Sequence, residues 1–80
     1  MIEKPLYVRT EWDTEAGVWV ATSDDVPGLV TEAETMEQLI AKLRIMIPEL
    51  LELNKESTDT AARSFEVFSR RFEALQPAGV

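Results

Sequence analysis

The spacing of the apolar residues changes once along this chain, at about Thr35. From Leu6 to Trp12 every second residue shares one face, which is the pattern of a β-strand with one buried side. After Thr35 the apolar residues recur at intervals of three and four, as on one face of an α-helix. The helical positions are Met36, Leu39, Ile40, Leu43, Ile47 and Leu50. The sequence therefore predicts a group of strands followed by a helix.

Two further strands are predicted before the helix. The segment DTEAG ends in Gly17, which tolerates positive φ, and it joins the first strand to a second strand at residues 18–22. The segment DDVPG has Pro27 to restrict φ and Gly28 for a left-handed position, and it leads to a third strand at residues 29–33.

The predicted helix has recognisable ends. Thr35 followed by Gln38 fits a capping box, in which side chains bond to the first free N–H groups of the helix. Asn54 is a plausible C-terminal cap. Pro48 lies inside the apolar pattern and cannot donate to the carbonyl of Arg44, so we expect a kink there or a break at which Pro48 opens a second short helix.

The last element is ambiguous from its apolar pattern alone. Residues 63–75 place phenylalanines at helical spacing, but the same residues also fit a strand that is buried on both sides. Residues 55–62 form a polar connection before it. We predict one domain over residues 1–76 and a disordered tail over residues 77–80.

Composition excludes several classes of function. The 80 residues include no cysteine and no histidine, which removes thiolate zinc sites, the commonest general base and every Ser-His or Cys-His nucleophile. The four serines of the sequence therefore have no histidine to activate them. We expect no catalytic residue, no metal site and no cofactor.

The formal net charge of −7 points to a protein partner of opposite sign. Such a chain is repelled by phosphate backbones, so direct nucleic acid binding is not expected, whereas a basic protein is attracted. No apolar run approaches the roughly 20 residues needed to cross a bilayer, so no membrane partner is expected. The first residues lack the features of a signal peptide, and we expect a cytoplasmic location.

The segment EWDTEAGVWVATSDDVPGLVTEAETMEQLIAKLRIMIPELLELN, residues 11–54, resembles the HicB-like group of small prokaryotic domains. It is most similar to a small branch described only as a domain of unknown function. The motifs that carry the resemblance are the tryptophan-bearing hairpin, DVPGL, TEAET and IPELLELN. The resemblance implies an α+β fold of order β-β-β-α-β, like half of a ribonuclease H sheet. Three antiparallel strands are joined by a fourth strand parallel to the first, in sheet order 3-2-1-4. One helix packs on one sheet face, and SFEVFSRRF is the fourth strand.

The resemblance also implies a function. The best-known HicB-like proteins are antitoxins that bind HicA, a small basic toxin that cleaves RNA, and that carry a C-terminal DNA-binding segment. Few residues follow the fourth strand here, so we do not expect this chain to repress an operon by itself. We expect a non-catalytic protein-binding module. The alternative is a small-ligand-binding domain or an enzyme with a pocket between sheet and helix.

The acidic loop is a candidate metal site. Asp24 and Asp25, with Glu32 and Glu34, could hold a divalent cation. The same residues are equally suited to turn hydrogen bonds and to the start of a helix. We therefore interpret this segment as structural.

The strongest functional expectation concerns the sheet face that the helix leaves uncovered. Strand two has apolar residues on both faces, with Val18 and Val20 on one face and the tryptophan on the other. An uncovered apolar face usually marks an interface, so we expect a homo-oligomer, most simply a dimer, and a docked basic partner. Arg63, Arg70 and Arg71 near two phenylalanines offer a less favoured alternative of RNA contact. The candidate interface residues are Trp19, Ala21, Phe68, Phe72, Asp24 and Asp25.

Overall fold

The computed structural model describes residues 4–54 and 64–77, which form four strands and one helix. The elements, in chain order, are β1 Leu6–Asp13, β2 Val18–Thr22, β3 Val30–Ala33, α1 Met36–Leu53 and β4 Phe65–Arg70. This is the predicted β-β-β-α-β order. The expectations for the connection at 55–62, for Arg63 and for the last three residues of the tail lie outside the described residues.

The four strands form one mixed sheet in the order β3-β2-β1-β4. Neighbours β1, β2 and β3 pair antiparallel, and β4 pairs parallel to β1. A parallel neighbour requires a crossover connection, and α1 provides it. The predicted sheet order and strand directions are confirmed.

The ambiguous last element is a strand because it completes the core beside β1. Leu6 pairs with Phe65 and Val8 with Val67, and both β4 residues pack against the buried core. The backbone N–H of Leu6 donates to the carbonyl of Ser64 over 2.8 Å, so pairing begins just before the strand. The strand ends at Arg70, two residues earlier than expected.

Helix α1 covers one face of this sheet. Residues that are partners on neighbouring strands point to the same side, so the face that includes Leu6 and Val8 also includes Ala21 and Ala33. Hydrophobic residues from this face, from the loop before β3 and from α1 form the core. They are Leu6, Val8, Ala21, Val26, Leu29, Ala33, Leu39, Leu43, Ile47 and Leu51.

The buried face of α1 differs slightly from the prediction. Leu39, Leu43 and Ile47 are buried as expected, but the fourth buried residue is Leu51, which is not among the predicted positions. Leu50 is only partly buried, against the edge of the core. The four buried positions are spaced by four residues each, and extending that interval would have identified Leu51.

Both predicted cap residues stand at the ends of α1, although among the described residues only the Thr35 half of the capping box forms. The Thr35 hydroxyl accepts from the backbone N–H of Gln38 over 3.1 Å. The Asn54 side-chain amide donates to the carbonyl of Leu50 over 2.8 Å and to that of Pro27 over 3.1 Å. The second bond ties the end of the helix to the loop that precedes β3.

The helix continues through Pro48, so the expected break is wrong. Proline removes one backbone hydrogen bond and crowds the carbonyl of Arg44. Arg44 is exposed, so water can bond to its carbonyl, while Ile47 and Leu51 are buried in the core on either side. Packing of the two flanking turns therefore outweighs the lost bond.

The two predicted turn glycines have left-handed backbones. Gly17 has φ of 69° and Gly28 has φ of 87°.

Neither α1 nor any other part of the chain within the described ranges forms a helix long and apolar enough to span a membrane.

Candidate protein-binding surface

Among the described residues no element covers the sheet face opposite α1, and we call it the open face. The strand pairings place on it every residue that alternates with the core positions. These residues are Tyr7, Arg9, Glu11, Asp13, Val18, Val20, Thr22, Val30, Glu32, Glu66, Phe68 and Arg70. Only part of this face is apolar, and its two halves differ in chemistry.

The half formed by β1 and β4 is aromatic. The rings of Tyr7 and Phe68 stack with centroids 4.7 Å apart and an angle of 23° between their planes. Their side chains remain 42% and 48% exposed, although each covers part of the other. Glu66 and Arg70 flank Phe68 on the same strand face. We call Tyr7, Glu66, Phe68 and Arg70 the aromatic edge.

The half formed by β1, β2 and β3 is acidic and aliphatic. Val20 pairs with Glu11 on one side and with Glu32 on the other, so two carboxylates lie beside one valine in a row across three strands. Next to this row the β1–β2 hairpin encloses a shallow concavity of about 540 Å³, which Asp13 and Glu15 also line. We call this concavity the acidic concavity.

The carboxylates of the acidic half form no ion pair with a described residue, although Arg70 of β4 lies opposite Glu11 in the strand register. Within residues 4–54 and 64–77 the one ion pair joins Arg71 to Glu73, away from Glu11 and Glu32. Asp13 serves the hairpin, since one of its oxygens accepts from the backbone N–H groups of Glu15 and Ala16. The remaining carboxylates are left to interact with solvent or with a partner.

The SDD segment continues the pairing of β1 by means of side chains. Regular β1–β2 pairing ends where Arg9 faces Thr22. Beyond that point the Ser23 hydroxyl donates to the carbonyl of Tyr7, and the Asp25 carboxylate accepts from the N–H of Tyr7 over 2.8 Å. The segment therefore holds β1 in place and positions Tyr7 on the open face.

The other acidic residues of this loop are not gathered into a metal site. Asp24 is exposed at the turn, and Glu32 lies on β3 with its side chain on the open face. Across the described part of the chain, no three carboxylates lie close enough together to bind a cation. The interpretation of the segment as structural rests on the Asp25 bond.

Two of the expected interface residues lie on the wrong face. Ala21 is fully buried, and Trp19 packs partly buried against the core and edge-on to Trp12 at 5.3 Å. The alternation within β2 separates two faces correctly but does not identify the face that the helix covers. That choice depends on the register between β2 and β1. The residues that take their place, Tyr7 and Val20, were not selected from the sequence.

Phe68 is on the open face as expected, whereas Phe72 lies beyond the sheet. Phe72 is 81% exposed in the segment that follows β4.

The guanidinium of Arg71 lies 4.5 Å from the centre of the Trp12 ring, on the other side of the sheet from Arg70. Those basic and aromatic residues of the expected RNA contact that the structure describes are therefore divided between two surfaces.

A small apolar cavity lies between the sheet and the helix, at the position expected for a ligand pocket. Its volume is about 140 Å³, and its lining is mostly apolar, with Arg44 and Ser64 at its margin: Leu6, Leu43, Arg44, Ile47, Pro48, Leu51, Ser64 and Phe65. Small-molecule sites usually occupy about 300–1,000 Å³. This cavity gives the ligand-binding alternative little support.

The fold and the surface define a small α+β domain with one helix on a four-stranded mixed sheet and with its second sheet face open. The chain belongs to the family described as Domain of unknown function (DUF1902), which it matches over residues 5–76. It is similar to the hypothetical protein TTHA1013 from the extremely thermophilic bacterium Thermus thermophilus. That crystal structure has a TM-score of 0.62 and 51% sequence identity, with 96% of this chain and 100% of that chain covered. No curated protein matches the chain.

Proposed function

We propose that this chain is a non-catalytic, cytoplasmic protein-binding module of the HicB-like antitoxin type. In this proposal the acidic half of the open face captures a small basic protein, such as a HicA-like toxin that cleaves RNA. The observation that carries the proposal is the row of Glu11, Val20 and Glu32 on an uncovered sheet face beside the acidic concavity.

The chemistry of this row suits lysine and arginine side chains. Their methylene stems can lie against Val20 while their charged ends meet Glu11 or Glu32. An arginine can also bond to a carboxylate through two N–H groups at once. Neither carboxylate forms an ion pair with a described residue, so a partner has none to displace, although Arg70 lies opposite Glu11.

The whole charge distribution supports the same partner. The chain has 15 acidic and 8 basic residues, so it attracts a basic protein over a distance before contact. A protein that cleaves RNA needs a basic surface to bind phosphates. An acidic sheet face that occupies that surface would exclude the RNA, which is the action of an antitoxin.

The experiment co-expresses this chain with the neighbouring open reading frame, which we expect to encode a small basic protein that co-purifies with it. Binding of the two purified proteins is then measured by surface plasmon resonance, and RNA cleavage by the partner is measured with and without this chain. We expect a stable complex and suppressed cleavage. A neighbouring basic protein that neither binds nor is inhibited would contradict the proposal.

Two charge-reversal variants locate the surface. Glu11→Lys and Glu49→Lys change the net charge equally, but Glu11 is on the open face and Glu49 is exposed on α1. We expect Glu11→Lys to weaken binding about tenfold or more and Glu49→Lys to change it less than about threefold. Equal effects would show that net charge alone attracts the partner and that the open face is not the site.

A further inference from the structure

The two edges of the sheet are protected unequally. At one edge β3 has only four residues, and the Lys42 ammonium donates to the carbonyl of Glu32 over 2.6 Å. Short strands and lysines are devices that discourage further strand pairing. At the other edge β4 has six residues, and within the described ranges no element pairs with its outer side.

The free edge of β4 has a defined set of backbone groups. Because the N–H of Leu6 donates to Ser64, alternate β4 residues beginning with Ser64 direct their backbone groups towards β1. Phe65, Val67 and Ser69 therefore direct their N–H and C=O groups outwards. These groups can bond to another strand without disturbing the sheet.

The side chains of β4 are complementary to themselves. Glu66 and Arg70 lie at equal distances along the strand on either side of Phe68, and all three side chains are exposed on the open face. If a second β4 runs antiparallel with Phe68 opposite Phe68, each Glu66 lies opposite an Arg70. Neither residue forms an ion pair with another described residue of its own chain.

We propose that a second copy of this chain binds at this edge in that register, and that the two four-stranded sheets join into one sheet of eight strands. Val67 of each copy then exchanges backbone hydrogen bonds with Ser69 of the other. The inference goes beyond the proposed function and does not depend on it, since a monomer could still capture a basic protein.

The register also accounts for the exposed aromatic residues. In this register the two Phe68 residues face each other without exchanging backbone hydrogen bonds. The Cα atoms of such an antiparallel pair are about 4.5 Å apart, so the two Phe68 rings come into contact. With the two stacked Tyr7 rings they form a row of four rings across the junction. Phe72, which has no strand neighbour in its own chain, lies opposite Ser64 of the second copy.

Other registers lose this complementarity. If Val67 lies opposite Val67, the outward backbone groups still pair, but Glu66 faces Phe68 and Arg70 faces Ser64. The charges therefore select the register with Phe68 at its centre. Cross-strand pairs of opposite charge are favourable, and pairs of like charge are unfavourable.

The symmetry leaves the acidic half available. A two-fold axis perpendicular to the sheet keeps both helices on one side and both open faces on the other. The acidic concavities, on β1 and β2, are then separated from the junction by β4 of each copy. A contact of one strand from each copy is small, so we expect a dissociation constant on the order of 10 µM.

The decisive test reverses one charge at a time. Glu66→Arg makes positions 66 and 70 both basic, and Arg70→Glu makes them both acidic. Each variant therefore has two like-charge pairs in its own dimer, where position 66 of one copy faces position 70 of the other. We expect each to dimerise about tenfold or more weakly than the native chain in sedimentation or light-scattering measurements. An equal mixture of the two should form a heterodimer, with twice the 9.0 kDa mass of one chain, at concentrations where each alone is a monomer.

The mixture separates the proposed contact from a loss of folding. A misfolded variant would not regain association when the other variant is added. Glu52 is an exposed residue of α1, and Glu52→Arg changes the net charge by the same amount as Glu66→Arg. It should leave the dissociation constant of the dimer unchanged. The proposal is overturned if the native chain is a monomer at several hundred micromolar, or if both single variants dimerise as well as the native chain.

Cross-linking tests the register directly. The native chain has no cysteine, so Phe68→Cys introduces a single thiol. A Cα separation of about 4.5 Å falls within the range of disulfides, and mild oxidation should give a covalent dimer within minutes. Val30→Cys, on β3 and 67% exposed in the native chain, is the matched control and should cross-link at least tenfold more slowly. Equal rates at the two positions would contradict the β4 contact.

Discussion

At the residue scale, Asp25 has the clearest structural role in the acidic loop. Its carboxylate accepts from the N–H of Tyr7, and its own N–H donates to the hydroxyl of Ser23 over 3.1 Å. The first bond joins the loop to β1 where regular pairing stops, and the second lies within the loop and holds Ser23, whose hydroxyl donates to the carbonyl of Tyr7. A residue that looks like a metal ligand in the sequence is thus used to hold a strand.

Asp25→Ala should lower the free energy of unfolding by about 1 kcal/mol, because one charge-assisted bond to a backbone N–H is lost at an exposed site. Asp24→Ala is the matched control, since Asp24 is also exposed and forms no hydrogen bond with another described residue. It should change stability by less than about 0.5 kcal/mol. Urea unfolding followed by tryptophan fluorescence measures both variants, and equal losses would contradict the assigned role of Asp25.

The same carboxylates should bind divalent cations weakly. Asp25 is engaged with Tyr7, and the described carboxylates are not grouped as ligands. Calorimetric titration with magnesium, manganese or calcium should show no binding tighter than about 1 mM. A micromolar site that Asp24→Asn or Asp25→Asn abolishes would overturn this prediction.

At the element scale, α1 illustrates how packing overrides local preference. Pro48 weakens the helix where it stands, yet the helix extends from Met36 to Leu53. The buried residues on both sides of the proline attach the two halves to the same sheet. Continuity of α1 therefore depends on the burial of its last turn.

Leu51→Ala should destabilise the protein by about 2–5 kcal/mol, since Leu51 is only 1% exposed at the end of the buried stripe. Leu53→Ala is the matched control two residues away, with Leu53 on the exposed side of the same turn. It should cost less than about 0.5 kcal/mol. Thermal or urea unfolding measures the difference, and similar costs would show that the last turn of α1 is not packed on the sheet.

At the scale of the whole molecule, the open face separates two kinds of association. The acidic half relies on charge, whereas the aromatic edge combines backbone bonds, ring contacts and two ion pairs. Screening shortens electrostatic range from about 10 Å in 0.1 M salt to about 3 Å in 1 M salt. The two associations should therefore respond differently to ionic strength.

Raising salt from 0.1 M to 1 M should slow capture of the basic partner by about tenfold or more. Over the same range the dissociation constant of the dimer should rise by less than about threefold, because apolar and backbone contacts are not screened. Stopped-flow binding measures the first quantity and sedimentation equilibrium the second. A dimer that is more salt-sensitive than the partner complex would show that the aromatic rings and the backbone contribute little.

Much of the fold follows from local patterns in the sequence. Alternation identifies β1, the glycines with positive φ mark both turns, and Thr35 marks the start of α1. The local pattern did not identify β4, because its phenylalanines fit both a helix and a strand. Family resemblance resolved it, and the pairing of Phe65 with Leu6 gives the physical reason.

The sequence by itself determined the order of the first four elements, the two helix-capping residues and the two faces of β2, because each depends on residues that are close together in the chain. Only the tertiary structure decided that Ala21 faces α1, that Asp25 bonds to Tyr7 and that Tyr7 stacks on Phe68. These contacts join residues that are 18 or more positions apart, and they follow from strand register. Register is set by the simultaneous pairing of several strands, so no local pattern encodes it.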